Sequence, residues 1–153
     1  MRPIVCAFVL AVAACAGCVK KTESLSESGT MSGPQPIDAA RAVELFRVAW
    51  GEKVLPAVPE KERESAAYMY SLMQKEPDKL VARPESCRAC AAHVRELEAL
   101  TKGNYGLYGT LDALDRDGDC WAVMYQGGMK REIEGYLTPD TGELLYVRRT
   151  PEG

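Results

Sequence analysis

The chain has a single histidine, His93, among its 153 residues. Any Ser–His or Cys–His hydrolytic arrangement would have to use it, and no Gly-x-Ser-x-Gly elbow or orienting partner accompanies it. A glycine-rich phosphate loop is also missing, since Gly127-Gly128 sits between two strand-like runs, where a turn is the ordinary reading. Basic charge is short as well: 19 Lys and Arg face 22 Asp and Glu, a formal charge of −3. That balance argues against nucleic acid, whose phosphates demand a clustered basic face. No apolar run approaches the roughly 20 residues that a membrane-spanning helix needs. No cofactor signature is present; a c-type haem is excluded because Ala91, not histidine, follows Cys90.

What the chain does have begins at its start. Arg2 precedes Ile4 to Ala16, an uncharged and almost wholly apolar run with the length of a signal-peptide core, and Ala16-Gly17-Cys18 follows. The order small–small–Cys resembles the lipobox of exported bacterial lipoproteins. The resemblance implies acylation (palmitate among the chains) at Cys18, which becomes the new N-terminus. Val12-Ala13-Ala14-Cys15 satisfies the same pattern, so Cys15 is the alternative; Ala-Gly is the better pair and Cys15 leaves a shorter apolar run. One acyl chain anchors marginally, at about 0.8 kcal/mol per buried methylene, whereas several hold almost permanently. Val19 rather than Asp after the cysteine favours the outer membrane under the enteric sorting rule.

The organisation expected is a signal peptide at 1–17, the lipidated cysteine and a flexible tether at 18–36, and one domain at 37–153. Removing residues 1–17 takes away Arg2, leaving 18 basic against 22 acidic side chains and a formal charge of −4. Lys20-Lys21 is too small for a polybasic membrane patch. The tether is rich in Ser, Gly, Glu and Pro and lacks helical periodicity.

Within the domain, periodicity predicts three helices and then strands. Asp38 caps the first, with Ala42, Val43, Leu45, Phe46, Ala49 and Trp50 at three- and four-residue steps and Gly51 as its stop. The second runs from about Pro59 to Gln74 and is closed by Pro77. The third spans about Pro84 to Thr101, with Cys90, Val94, Leu97 and Thr101 on one line and Gly103 past its end. From Tyr105 the texture changes to short runs: Gly106 to Leu114, Cys120 to Tyr125, Met129 to Leu137 and Glu143 to Arg149. The turns between them contain Asp-Gly and Pro-Asp-x-Gly, the punctuation of hairpins. The expectation is an α+β domain with three helices on a four-stranded antiparallel meander.

The piece from Trp121 to Val147, WAVMYQGGMKREIEGYLTPDTGELLYV, behind a helix ending Ala49-Trp50-Gly51, resembles small bacterial immunity-type proteins of the nuclear-transport-factor-like (cystatin-like) fold. PepSY-type envelope domains share the last hairpin equally well. The resemblance covers about a quarter of the domain and implies a non-catalytic, partner-binding module; it transfers no site residue.

Cys87-Arg88-Ala89-Cys90, His93 and Cys120 form the one constellation with chemical reach. A cysteine pair three apart at a helix start can act as a dithiol, the helix N-terminus and Arg88 stabilising a thiolate at Cys87, with Ser86 as cap and Glu85 in opposition. Against a thioredoxin-like oxidoreductase stand the lack of an enclosing strand–helix–strand frame and the serine before Cys87. A second reading is a helix-to-sheet staple, Cys90–Cys120 or Cys87–Cys120, worth roughly 3–4 kcal/mol for a loop of about 30 residues. A Cys87–Cys90 bridge needs a distorted first turn. A third reading is zinc on Cys87, Cys90, His93 and Cys120, the right ligand count but an awkward sweep around one helix.

Asp112, Asp115, Asp117 and Asp119 crowd one turn, yet Ala113 and Met124 stand where an EF-hand needs acidic ligands. Five tyrosines, Tyr105, Tyr108, Tyr125, Tyr136 and Tyr146, fall in the strand region, as core or as the lining of an open face. The leading expectation is a membrane-anchored envelope lipoprotein whose domain binds a protein partner through Trp121, Tyr125 and Tyr136, an immunity or inhibitor role being one form. The alternatives are a thiol-disulfide protein using Cys87 and Cys90, and a purely structural lipoprotein.

Overall fold

The computed structural model describes residues 36–103, 105–127 and 133–149. The leader, Cys15, Cys18 and the tether up to residue 35 lie outside the described residues, as does the start of the expected Met129 to Leu137 strand. Among the described residues no helix is long and apolar enough to cross a membrane.

Helix α1 spans Ala39–Ala49, and the Asp38 carboxylate accepts from the Arg41 N–H at 2.8 Å, the cap expected from the sequence. Gly51 does not stop it. The chain continues through a π-turn, Trp50–Val54, and a helical turn, Leu55–Ala57. Gly51 is small for another reason: a Cβ there would stand 3.1 Å from the Tyr70 ring. Helix α2, Glu60–Lys75, starts after Pro59 with Glu60 and Glu62 at its positive end. A single 3-10 turn at Pro77–Lys79 then leads into strand β1, Leu80–Ser86.

Strand β1 corrects the expected third helix. Helix α3 covers Cys87–Thr101, not Pro84 onward, because Pro84 and its neighbours pair with another strand. Ser86 caps α3, and Lys102 rather than Gly103 takes the left-handed closing conformation at φ 50°. Strand β2 is Gly106–Gly109; residues 111–114, expected to prolong it, form a short helix, α4 (Leu111–Leu114), capped by Thr110. Strands β3 (Asp119–Tyr125), β4 (Ile133–Leu137) and β5 (Leu144–Arg149) complete the sheet.

The domain is α+β with one antiparallel sheet of five strands in the order β1-β3-β4-β5-β2. The expected meander exists as β3-β4-β5, but it is bracketed by a strand on each side, and β2 pairs with β5 at the far edge instead of with its successor β3. With every pairing antiparallel, β1 and β2 run parallel at opposite edges. Such strands cannot be joined by a hairpin, and α3 makes the crossover between them.

The sheet is therefore covered on both faces, not one. On the first, α1, the π-turn and α2 pack Phe46, Trp50, Ala66, Met69 and Met73 onto Val123, Tyr125, Ile133, Leu137 and Val147. Gly135 lies at the middle of β4 beneath Phe46, where a Cβ would overlap the ring. Trp50 Nε1 donates to the Ala66 carbonyl at 3.0 Å, satisfying the buried indole. On the second face, Cys87, Ala91 and Val94 of α3 meet Cys120, Ala122, Tyr136 and Tyr146.

Candidate functional site: the groove beside the crossover helix

Period-two alternation decides where the aromatic candidates go. Trp121 and Tyr125 point to the α1/α2 face, whereas Tyr136, opposite Ala122 in the register, points to the α3 face. The three therefore do not form the shared contact surface expected of them. Trp121 is half-buried against the first core, and Tyr125 is 2% exposed. The Tyr125 hydroxyl donates to Glu76 Oε2 at 2.7 Å. Lys79 bonds the same carboxylate at 2.8 Å, and these two contacts, Lys79 first, hold the Glu76 carboxyl below its usual range. Tyr146 is buried too, while Tyr105 and Tyr108 are half-buried.

One helix cannot cover five strands. On the β1 side α3 leaves a groove of about 270 Å³, lined by Arg83, Glu85, Ala89, Cys90, His93, Ala122, Met124, Glu134 and Tyr136. Its floor carries a buried ion pair: Arg148 Nε donates to Glu134 Oε2 at 2.9 Å, with exposures of 3% and 6%. The Tyr136 hydroxyl donates to the same oxygen at 3.1 Å. Burial first, and then the Glu134 charge, push the Tyr136 phenol well above its ordinary value. Arg148 Nη1 is buried and has no hydrogen-bond partner among the described residues.

Sulfur occupies one end of the groove. The Cys87 N–H donates to the Gly118 carbonyl at 3.0 Å, fastening the start of α3 to the start of β3. That anchor brings Cys87, Cys90 and Cys120 together, all as free thiols. Cys87 and Cys120 are buried in one cluster and Cys90 packs against it, but none is bridged to another, so the expected Cys90–Cys120 or Cys87–Cys120 staple is not formed in this structure. The neighbouring Cys120 thiol lowers the Cys90 pKa, against the effect of burial. The neighbouring Cys90 and its own burial push Cys120 far up. Cys87 is raised as well, by burial before all else. The dithiol reading thus changes its leading residue: Cys90, half-exposed in the groove, is the acidic thiol, and Cys87 is sealed. Arg88, expected to support a thiolate, instead pairs with Asp117 at 3.1 Å and Asp115 at 3.7 Å.

Two further expectations are revised here. A strand–helix–strand frame does enclose Cys87-Arg88-Ala89-Cys90, since α3 starts directly at the end of β1 and crosses to β2. It escaped the sequence reading because residues 80–86 blend into the helical pattern that follows. Among the described residues no group of three or more His, Cys, Asp or Glu side chains is placed to hold a metal ion, which sets the zinc arrangement aside; His93 is exposed on α3. The crowded acidic turn is tied to α3, with Asp115 accepting from Arg95 at 2.7 Å and Asp112 at 3.4 Å. Glu134 and Arg148 were missed altogether, because a strand-borne charge reads as solvated until its partner strand is known.

Comparison with protein-family models, curated proteins and solved structures finds no match to this chain.

Proposed function

We propose that the protein is a lipid-anchored envelope protein in which acylated Cys18 fixes the chain to a membrane, residues 19–36 give reach, and the groove beside α3 receives a segment of a partner protein. The observation supporting the binding half is the Arg148–Glu134–Tyr136 network on the groove floor. A buried ion pair adds little stability over well-packed apolar side chains of the same size. Its placement beneath an open groove fits recognition better than it fits core building. Arg83, Glu85 and His93 on the rim offer both donors and acceptors to a polar segment. An immunity or inhibitor role, with a toxin or enzyme as partner and a cystatin-like ancestry for the sheet, is the concrete form of this reading. It rests on the resemblance of residues 121–147.

The test is a photo-crosslinking amino acid placed at Ala89 on the groove rim, with Tyr68, 63% exposed on α2, as the control position. In cells, one discrete adduct from Ala89 and none from Tyr68 is the expected result; equal smears or no adduct at either site reject partner binding. Labelling with radioactive palmitate checks the anchor. Cys18→Ser should abolish incorporation, and persistence of the label in that variant would move the site to Cys15.

A further inference from the structure

The partner-binding reading makes no use of the sulfur cluster. We propose that Cys90 and Cys120 form a thiol–disulfide exchange site, Cys90 attacking a protein or low-molecular-weight disulfide and Cys120 resolving the mixed disulfide. Three observations place the chemistry. Cys90 is the half-exposed member of the cluster and opens into the groove, where a substrate can approach. Cys120 is buried, 1% exposed, in the cluster against which Cys90 packs, so the resolving thiol is near at hand and kept from solvent. The frame is a strand running straight into a helix, and Ser86 caps the turn that carries Cys87 and Cys90.

The Cys90 thiolate attacks one sulfur of the substrate disulfide. The Cys90–substrate bond forms, the substrate S–S bond breaks, and the departing thiolate takes the proton of Cys120. Cys120, now a thiolate, attacks the Cys90 sulfur. The Cys90–Cys120 bond forms, and the second substrate thiolate leaves and is protonated by water. Two electrons pass from the cysteine pair to the substrate, which ends as two thiols. Run in reverse, the bridge oxidises a dithiol. Cys87, sealed by burial, takes no part.

The full chain is equilibrated in a buffer of reduced and oxidised glutathione, quenched with an alkylating agent and mapped by mass spectrometry. The expected wild-type product is a Cys90–Cys120 bridge with Cys87 alkylated only after unfolding. In C120S, a glutathione adduct should accumulate on Cys90; C90S should show neither adduct nor bridge; C87S should behave as wild type. A Cys87–Cys120 bridge, or a bridge that forms and reduces only on unfolding, would make the cluster a staple and overturn the proposal. So would the absence of any Cys90 adduct in folded C120S. If C120S loses its near-UV circular dichroism, the wild-type time course decides. The Cys90 adduct must precede the bridge there, and its absence also rejects exchange. None of these outcomes depends on whether Ala89 crosslinks to a partner.

Discussion

The two faces of the sheet are built by opposite means. Beneath α1 and α2 the contacts are apolar and closed: an aromatic pair, Phe46 and Trp50, lies edge-to-face at 5.9 Å over glycine and aliphatic side chains. Beneath α3 the same strands present thiols, a carboxylate, a guanidinium and two phenols, and one helix leaves part of them uncovered. A side chain's face is set by its parity along the strand, so each strand alternates between the two chemistries. The lesson is a division of labour. One face supplies the stability that lets the other keep groups that are costly to bury and useful to expose.

If that division holds, the largest losses come from the closed face. Phe46→Ala should cost about 3–5 kcal/mol, the range for emptying a large aromatic site, read as a fall in the denaturant midpoint. Gly135→Ala attacks the same contact from the other side, since its Cβ would overlap the Phe46 ring, and about 1–3 kcal/mol is expected for such overpacking. The double variant should cost clearly less than the sum, because the added methyl enters the space the ring has left. Strict additivity would mean that the two residues do not share the packing described.

The polar face should respond with a different arithmetic. Glu134→Leu alone strands a buried guanidinium and should cost about 3–5 kcal/mol, whereas Glu134→Leu with Arg148→Met should recover most of that loss. Recovery of stability with loss of the Ala89 crosslink would tie the pair to recognition. A double variant as unstable as the single one would show that the network is needed for folding, which would remove the distinction between the faces.

The sequence revealed the closed face better than the polar one, for physical reasons. Helical periodicity and the Asp38 cap are local signals, and α1, α2 and most of α3 follow from them. The meander β3-β4-β5 likewise follows from turn chemistry at Gly127-Gly128 and Thr141-Gly142, whereas the Asp117-Gly118 turn leads into β3 without making a hairpin. Strand β1 was hidden because Pro84 and Ser86 read as helix-start residues, and no local pattern says that β3 will pair with them. The helix side of the groove depends on that pairing. It makes α3 a crossover and sets Cys87 at a helix start fastened to Gly118, while the β3-β4 register separates Tyr136 from Trp121 and Tyr125. The three cysteines form a set in the sequence, but which of them has the lowered pKa depends on exposure and on the neighbouring Cys120 thiol.

Alkaline pH probes the polar face selectively. Burial, with the Glu98 charge and hydrogen bond next, pushes Tyr146 up to about 12 from the ordinary 10.0, and Tyr136 is raised further. A raised folded-state value means that the contribution is fully present below pH 10. It is lost as pH climbs through the folded value, because the unfolded chain releases its protons first. Cys87 and Cys120 act in the same direction from about pH 9, whereas the contribution of Cys90, whose value is lowered, is complete above that pH and is lost only as pH falls through its folded value. Stability by denaturant titration should therefore hold to about pH 9 and fall steadily beyond it, with Tyr146→Phe flattening the fall. An unchanged slope in that variant would place the alkaline sensitivity elsewhere.

The smallest expected effect separates the helices that serve the two faces. Asp38 accepts from the α1 backbone at 2.8 Å and adds a negative charge at the helix start, so Asp38→Ala should cost about 0.5–2 kcal/mol. Ser86 accepts from Ala89 at 3.4 Å, a long contact, and the neighbouring Cys87 N–H is already satisfied by the Gly118 carbonyl. Ser86→Ala should therefore cost well under 1 kcal/mol, because one weak neutral bond is lost and its donor lies near solvent. If Ser86→Ala proves the more damaging of the two, the start of α3 is held by its cap and not by the strand. The position of Cys90 over Cys120 would then rest on a single hydroxyl, and the rate of Cys90 alkylation should change in that variant as well.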